Sequence, residues 1–406
     1  MKILSIVAEY NPFHNGHLYH LETSKEITKC THSIAIMSGN FLQRGEPALM
    51  DKWIRAKTAI ENGIDLVIEL PVVYSCQSAE IFAYGAVKIL NDLDIVDNIS
   101  FGCEDNDLNK LKSVANLLVK EPQEYKNDLK FYLDQGISYP KARQLAVKKF
   151  DDVDGEILST SNNILAVEYL KWLIKLDSSI EPIPIKRANA SYHCDKVINN
   201  FAGATYIRNQ IKENNNIECI KDVIPKKTLN NMKKYMHTNE FNKMENYFEI
   251  IISQLLKLSP EKLIEYFDVK EGLENRIINS IYNSNNTEEL IDNIITKRYT
   301  STRIKRILLN CLLEHKELNM RKVFNTSFTP YVRILAFNDK GKEIIKRIKD
   351  KEKSIIITNV SKKYNELNNL QRYCIEKDIL STKYFFLKSN IKKMNNDYYK
   401  KPEIVK

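Results

Sequence analysis

The stretch "ILSIVAEYNPFHNGHLYHLETSKEI", Ile3–Ile27, decides the fold. Its opening ILSIVA (Ile3–Ala8) is a β-rich apolar run and predicts a buried strand. From His17 to Ile27 the apolar residues recur at helical spacing. The chain thus passes from a strand, through NPFHNGH, into the start of a helix. A helix start presents unpaired backbone N–H groups and the positive end of a dipole. Gly16 lets the backbone approach a phosphate closely. His14 and His17, at i and i+3, share a face of the first turn. Two imidazoles there can donate hydrogen bonds to a phosphate whose charge grows in the transition state. Two other readings are open on these letters alone. A zinc site calls for a third ligand, and HxxH here lacks the Glu of HExxH. A purely structural histidine pair is the other.

Outward from this motif the front half keeps alternating. SIAIM (Ser33–Met37) predicts a second strand, and Asp51 caps a helix through DKWIRAKTAIENG that Gly63 closes. DLVIEL (Asp65–Leu70) predicts a third strand, stopped by Pro71. Helix AEIFAYGAVKILNDL, strand NISF (Asn98–Phe101), helix NNILAVEYLKWLIKL (Asn162–Leu176) and extended IEPIPIKR (Ile180–Arg187) follow. This order predicts an α/β fold, a parallel sheet covered by helices with ligands at the strands' carboxyl ends. After about Cys219 helical patterns dominate from Asn239 to Glu317. A small mixed α/β region then appears: YVRILAF as strand, KGKEIIKRIKD as helix and SIIITN as strand. The expected units are 1–220 (catalytic, nucleotide-binding), 221–320 (basic, helical) and 321–406 (small, mixed).

With 406 residues, 43 % of them hydrophobic, a sizeable core is available. The seven cysteines are odd in number and contain no CxxC pair, which fits reduced thiols in a cytoplasmic protein. No apolar run is long enough to span a bilayer, and the opening residues lack a signal-peptide pattern. No motif indicates a protein partner or a membrane. The net charge of +9 is uneven: residues 1–220 carry −5 and residues 221–406 carry +14. An acidic front with a basic rear fits chemistry in front and a polyanion held behind. Solvated lysine-rich helices fit the same charge.

HNGH resembles the HxGH motif of the nucleotidylyltransferase superfamily, similar in fold to class I aminoacyl-tRNA synthetases. The resemblance extends through AEYNPFHNGH, SGNFLQRGEPALMDKW (Ser38–Trp53), IDLVIELP (Ile64–Pro71), SFGCE (Ser100–Glu104), SNNILAVEYLK (Ser161–Lys171), IKRANASYH (Ile185–His193), GATYIR (Gly203–Arg208) and RYTSTRIKRILLN (Arg298–Asn310). These motifs are collinear with those of the bacterial tRNA(Met) cytidine acetate ligase family and cover essentially the whole chain. The resemblance implies a two-step ligase. Acetate attacks the α-phosphate of ATP, giving acetyl-adenylate and diphosphate. The N4 amine of the wobble cytidine in elongator tRNA(Met) then attacks the acyl carbon, giving N4-acetylcytidine and AMP.

The resemblance also implies site residues. The loop Val7, Ala8, Glu9, Tyr10, Asn11, Pro12, Phe13, His14, Asn15, Gly16, His17, Leu18, Tyr19, His20 matches the ATP-binding loop, with His14 and His17 catalytic on the phosphates. Gly102, Asn162 and Arg187 match further ATP contacts. Their plainer readings are a strand-end turn, an N-cap and a surface charge. In GATYIR, Thr205 and Arg208 keep the phosphate-loop pattern, while Gly203 and Ala204 replace its hydroxyl residues. Gln43–Pro47 is either part of the substrate side or a turn linked by Arg44 and Glu46.

For RNA contact the expected residues are Lys297, Arg298, Arg303, Lys305 and Arg306, with Tyr299 as a stacking surface. A solvated helix face is the alternative. Diphosphate departure benefits from a divalent ion, so Mg2+ is expected alongside ATP, though no carboxylate cluster marks a metal site. Two other functions compete. A small-metabolite adenylyltransferase leaves the basic rear half without a role. A non-catalytic RNA-binding protein leaves the histidine pair without one.

Overall fold

The computed structural model describes residues 1–187, 200–214, 216–270 and 272–406. The strands are β1 (Ile3–Ala8), β2 (His32–Ser38), β3 (Leu66–Leu70), β4 (Asn98–Cys103), β5 (Glu181–Lys186), β6 (Val332–Phe337), β7 (Ile356–Ile357) and β8 (Glu403–Ile404). They form one sheet in the order β5-β4-β1-β2-β3-β6-β7, with β8 beside β6. The five front strands are parallel, whereas β6 runs antiparallel to β3, with a register shift between Val67 and Ile68.

Helices cover both faces, which is why the central strands read as near-continuous apolar runs. The period of two divides them. Ile3, Ile34, Ile36, Leu66 and Ile68 join one core, with the helices Ala79–Leu93 and Ser161–Lys175. Leu4, Ile6, Ala35, Met37 and Val67 join the other. Leu21 of α1 (Asn15–Thr28) and Trp53, Ala56 and Ile60 of α2 (Lys52–Glu61) pack there. Asp51 caps α2 as its sequence predicts, accepting from Trp53 N and Ile54 N.

The middle of the chain is helical, as expected. Leu255, Ile277, Leu290, Ile304 and Leu308 build a separate core there. Phe41, Val72 and Cys76 of the sheet unit belong to the same cluster and weld the two together.

The strands of residues 321–406 extend the front sheet. β6 is almost wholly buried, and pairing with β3 covers a flat apolar edge that would otherwise be open. SIIITN yields only the two-residue β7.

One feature of the topology positions the site. From β1 the chain runs outward to β2 and β3 on one side, and to β4 and β5 on the other. The order therefore reverses between β1 and β4. Open α/β sheets bind ligands in the crevice beyond the strands' carboxyl ends at such a switch point. HNGH follows β1, Gly102 lies at the end of β4, and Arg187 follows β5.

Candidate active site

His14 is the N-cap of α1, and its side chain folds back over the first turn. Gly16 N donates to His14 Nδ1 at 3.0 Å, and His14 N donates to His17 Nδ1 at 3.2 Å. The two histidines thus form a reciprocal capping box. Their rings stack at a centroid distance of 3.8 Å. Phe13 and Tyr10, both buried, lie against His17, with Tyr10 meeting it edge-on at 5.0 Å. Gly16 is required for a reason absent from its sequence reading. A Cβ there would sit 2.9 Å from His14 Cε1, so the glycine makes room for the capping ring.

These bonds fix the protonation chemistry. Burial lowers the pKa of His14 to about 3, and the charges of Arg187 and Arg208 push the same way. Burial, with His14 and Arg187 beside it, also holds His17 well below its ordinary value. Both rings are neutral at physiological pH. A neutral imidazole has one donor and one acceptor nitrogen. Each Nδ1 is occupied as acceptor, so the proton sits on Nε2 in both rings. Two N–H donors remain for an incoming anion, and they carry no positive charge of their own.

The charge comes from two arginines. Arg208, on the helix Ala204–Asn214, donates to Asn11 O at 3.2 Å and to Thr205 Oγ1 at 3.2 Å. Arg187 donates its backbone N–H to Cys103 O at 3.1 Å, and its Cγ would lie 3.6 Å from a Cβ at position 102. Gly102 therefore backs the Arg187 side chain in ordinary contact. Asn162 lies in the second position of its helix, not at the cap. Its Nδ2 donates to Glu104 Oε1 at 2.6 Å, and its Oδ1 accepts from Arg187 Nη1 at 3.5 Å. His20 is bound to Ser100 Oγ at 2.8 Å, and burial lowers its pKa to about 4.

The side chains of the loop Val7–His20 face different ways. Tyr10, Phe13 and Leu18 pack into the core. Tyr19 faces solvent beside Phe201. Glu9 is held by Gln43 N at 2.8 Å, and burial raises its pKa against that bond and the nearby arginines. Arg55 of α2 was not among the expected residues. Its guanidinium donates to the carbonyls of Met50, Glu9, Ser38 and Gly39, tying the loops after β1 and β2 together. A long-range bond of a basic residue to backbone leaves no local sequence signal. Of IKRANASYH, residues 188–193 lie outside the described residues.

Four of the five cations expected on RNA are engaged by other groups of the protein. Arg303 is paired with Asp268 through two bonds, 3.0 and 2.8 Å. Lys305 pairs with Glu46, Arg306 reaches Gln43 O, and Arg298 donates to Leu133 O. Lys297 is exposed. Tyr299 is only 6 % exposed, with Arg303 over its ring at 4.7 Å, so it offers no open stacking face. Gln43–Pro47 is a turn seated on the helix Ser301–Leu312. Gly45 has φ +75°, and a Cβ there would lie 2.6 Å from Arg306 N. Both the conformation and the contact demand glycine.

The chain is similar to known proteins along nearly its whole length. The family model described as HIGH Nucleotidyl Transferase matches residues 1–399. A protein of Thermoanaerobacter sp. (strain X514) named tRNA(Met) cytidine acetate ligase is 47 % identical over 397 residues, 95 % of each chain. One of the same name from Clostridium novyi (strain NT) is 45 % identical over 369 residues, 90 % of this chain and 92 % of that one. Among solved structures, Thermotoga maritima TmcAL bound with alpha-thio ATP superposes with a TM-score of 0.92 at 32 % identity, covering 100 % of both chains. With an HxGH turn at the switch point and relatives of this similarity along nearly its whole length, the chain belongs to the tRNA(Met) cytidine acetate ligase family of HIGH nucleotidyl transferases.

Proposed function

We propose that this chain joins acetate to the wobble cytidine of elongator tRNA(Met) at the expense of ATP. The carrying observation is the convergence of two neutral Nε2–H donors and two arginines on the switch-point crevice. In the first step an acetate oxygen attacks the α-phosphorus of ATP and the bond to the bridging oxygen breaks, releasing diphosphate. In the second, the cytidine N4 attacks the acyl carbon. The N4–C bond forms, the acyl–O bond to AMP breaks, and one proton leaves N4.

His14 and His17 would donate to the phosphates, with Arg187 and Arg208 neutralising their charge. Preorganised donors of this kind stabilise charge as it develops. Uncharged imidazoles suit the task, because they need shed no proton to release diphosphate. Gly102 and Asn162 would border the nucleotide. No described side chain is needed as a covalent carrier, since positioning and electrostatics suffice for this class of transfer. Mg2+ enters this reading as the nucleotide's own counter-ion. Among the described residues no group of three or more His, Cys, Asp or Glu is placed to hold a metal, so no residue is assigned to it.

The tRNA would approach over Gln43–Pro47 and the helix behind it, where Lys297 is exposed and Arg303 and Lys305 are each about a quarter exposed. Both are held by carboxylates, so phosphate contact there means exchanging one anion for another. A cytoplasmic site of action follows from the RNA substrate. Among the described residues no helix is long and apolar enough to cross a membrane. The test is incubation of the protein with ATP, radiolabelled acetate and tRNA. Label in tRNA(Met) together with AMP formation is expected. Unlabelled tRNA(Met), with ATP bound, would overturn the reading.

A further inference from the structure

We propose that Glu104 is a positioning residue for Arg187, acting through the Asn162 amide. The inference rests on the reading that Arg187 faces the nucleotide. Glu104 follows the end of β4, and every polar atom of its carboxylate is engaged. Oε1 accepts from Asn162 Nδ2 at 2.6 Å. Oε2 accepts from Thr160 Oγ1 at 2.8 Å and from Asn163 N at 3.1 Å. In return Asn163 Oδ1 accepts from Glu104 N at 2.9 Å and Asp105 N at 3.1 Å. The end of β4 is thereby latched to the start of the helix Ser161–Lys175.

The latch has a polarity. An ionised carboxylate only accepts hydrogen bonds. Asn162 must therefore turn its NH2 toward Glu104, which leaves its carbonyl oxygen toward Arg187. That oxygen accepts from Arg187 Nη1 at 3.5 Å. With the amide reversed, NH2 donors would face guanidinium donors and the contact would be repulsive. Glu104 thus selects the one amide orientation that steadies Arg187. Arg187 is the cation whose charge reaches His14, His17 and His20 together. The carboxylate itself touches none of these rings in the structure.

Glu104→Gln tests this, because glutamine keeps the size but can offer either a donor or an acceptor to Asn162. ATP affinity is measured by calorimetry on the full chain without acetate, beside acetate-dependent ATP–diphosphate exchange. E104Q is expected to weaken ATP binding about five- to tenfold, within the range of coupled neighbours. KM for ATP should rise while KM for acetate stays unchanged, a split that general loosening of the fold would not give. In an Arg187→Ala background E104Q should add nothing further. Should E104Q fail to fold, Asn162→Ala, which cuts the same relay, is held to the same three criteria. Unchanged ATP affinity in E104Q beside a weakened R187A overturns the proposal and leaves the role of Arg187 standing. A full additional loss in the double variant overturns it too, since Glu104 would then act apart from Arg187. Normal ATP binding by R187A removes the nucleotide role of Arg187 and this inference with it.

Discussion

His14 and His17 lie ring over ring, 3.8 Å between centroids, and each surrenders its Nδ1 to the backbone of the turn they share. The side chains therefore do two separable things. Nδ1 builds the helix start, and Nε2–H is left for a ligand.

Asparagine separates them, because its Oδ1 can take the Nδ1 bond while nothing replaces Nε2–H. Asparagine is also among the best N-caps. His14→Asn and His17→Asn should each keep stability within about 1 kcal/mol of the parent. Each should slow adenylate formation by ~10²–10³, the usual worth of one such donor. Thermal melting and acetate-dependent ATP–diphosphate exchange measure the two effects. A wild-type exchange rate in H17N would show that its Nε2–H meets no phosphate.

Gly16→Ala should invert the usual expectation for a helix. Alanine favours helix over glycine by about 1 kcal/mol. Its methyl, however, would press on the His14 ring at 2.9 Å. Exchange activity is expected to fall at least about tenfold, since small misplacements of aligned groups are costly, with little change in melting temperature. Full activity in G16A would mean the His14 ring can move without consequence.

Acid should destabilise the protein before its surface carboxylates titrate. His14, His20 and His315 have folded pKa values of about 3, 4 and 3, and that of His17 is also depressed, all through burial first. In the unfolded chain histidine titrates near 6.5. Below that pH the unfolded state binds protons that the native state refuses, so stability falls as pH drops from about 6.5 toward 4. Asp378 opposes this trend. Burial raises its pKa to about 7, so its native form gains a proton as pH falls and loses stability as pH rises from about 4 to 7. Glu9, whose pKa burial also raises, opposes the trend in the same sense, and four histidines against these two carboxylates give a net loss on acidification. Melting temperatures at pH 7.5, 6.0 and 5.0 should decline in that order, and a flat profile would contradict the neutral-histidine assignment.

Replacing Arg303 should register in stability as well as in RNA binding. Its two bonds to Asp268 are partly exposed, so their worth is about 1 kcal/mol at most. Asp268→Asn should lower the melting temperature by a similar small amount, and the two changes should not add. Lys297→Ala is the cleaner probe of RNA, because its side chain is exposed. Loss of one phosphate contact would flatten the salt dependence of tRNA binding by roughly one unit of slope. An unaltered slope in K297A would move the RNA surface elsewhere.

Much of the front half was legible because its signals are local. ILSIVA is a strand over the expected residues, Ile3–Ala8, since a parallel strand buried on both faces must be apolar throughout. Asp51 announces its helix because a cap is a bond to residues two and three ahead. What escaped is what long-range pairing decides. KRYTSTRIKR looks like a basic surface until Asp268, Glu46 and the Gln43 carbonyl arrive from distant segments to engage it. YVRILAF reads as a strand, yet nothing within it names β3 as its neighbour. Gly16 was legible as a glycine position but not as the space a histidine ring needs.

The union of β3 with β6 reaches beyond architecture. Lys52 and Glu69, buried beside the carboxyl end of the sheet, bond each other at 2.6 Å, and Lys52 also bonds Asp397 at 2.9 Å. Arg333, likewise buried, reaches both Glu69 and Asp397. Two of these four charges come from the last fifth of the chain. During synthesis the nucleotide-facing half would wait on the ribosome with a buried ion pair lacking two of its partners and with a bare strand edge. A truncation before residue 332, which removes β6, Arg333 and Asp397 together, should accordingly leave an aggregation-prone protein, not a smaller working enzyme.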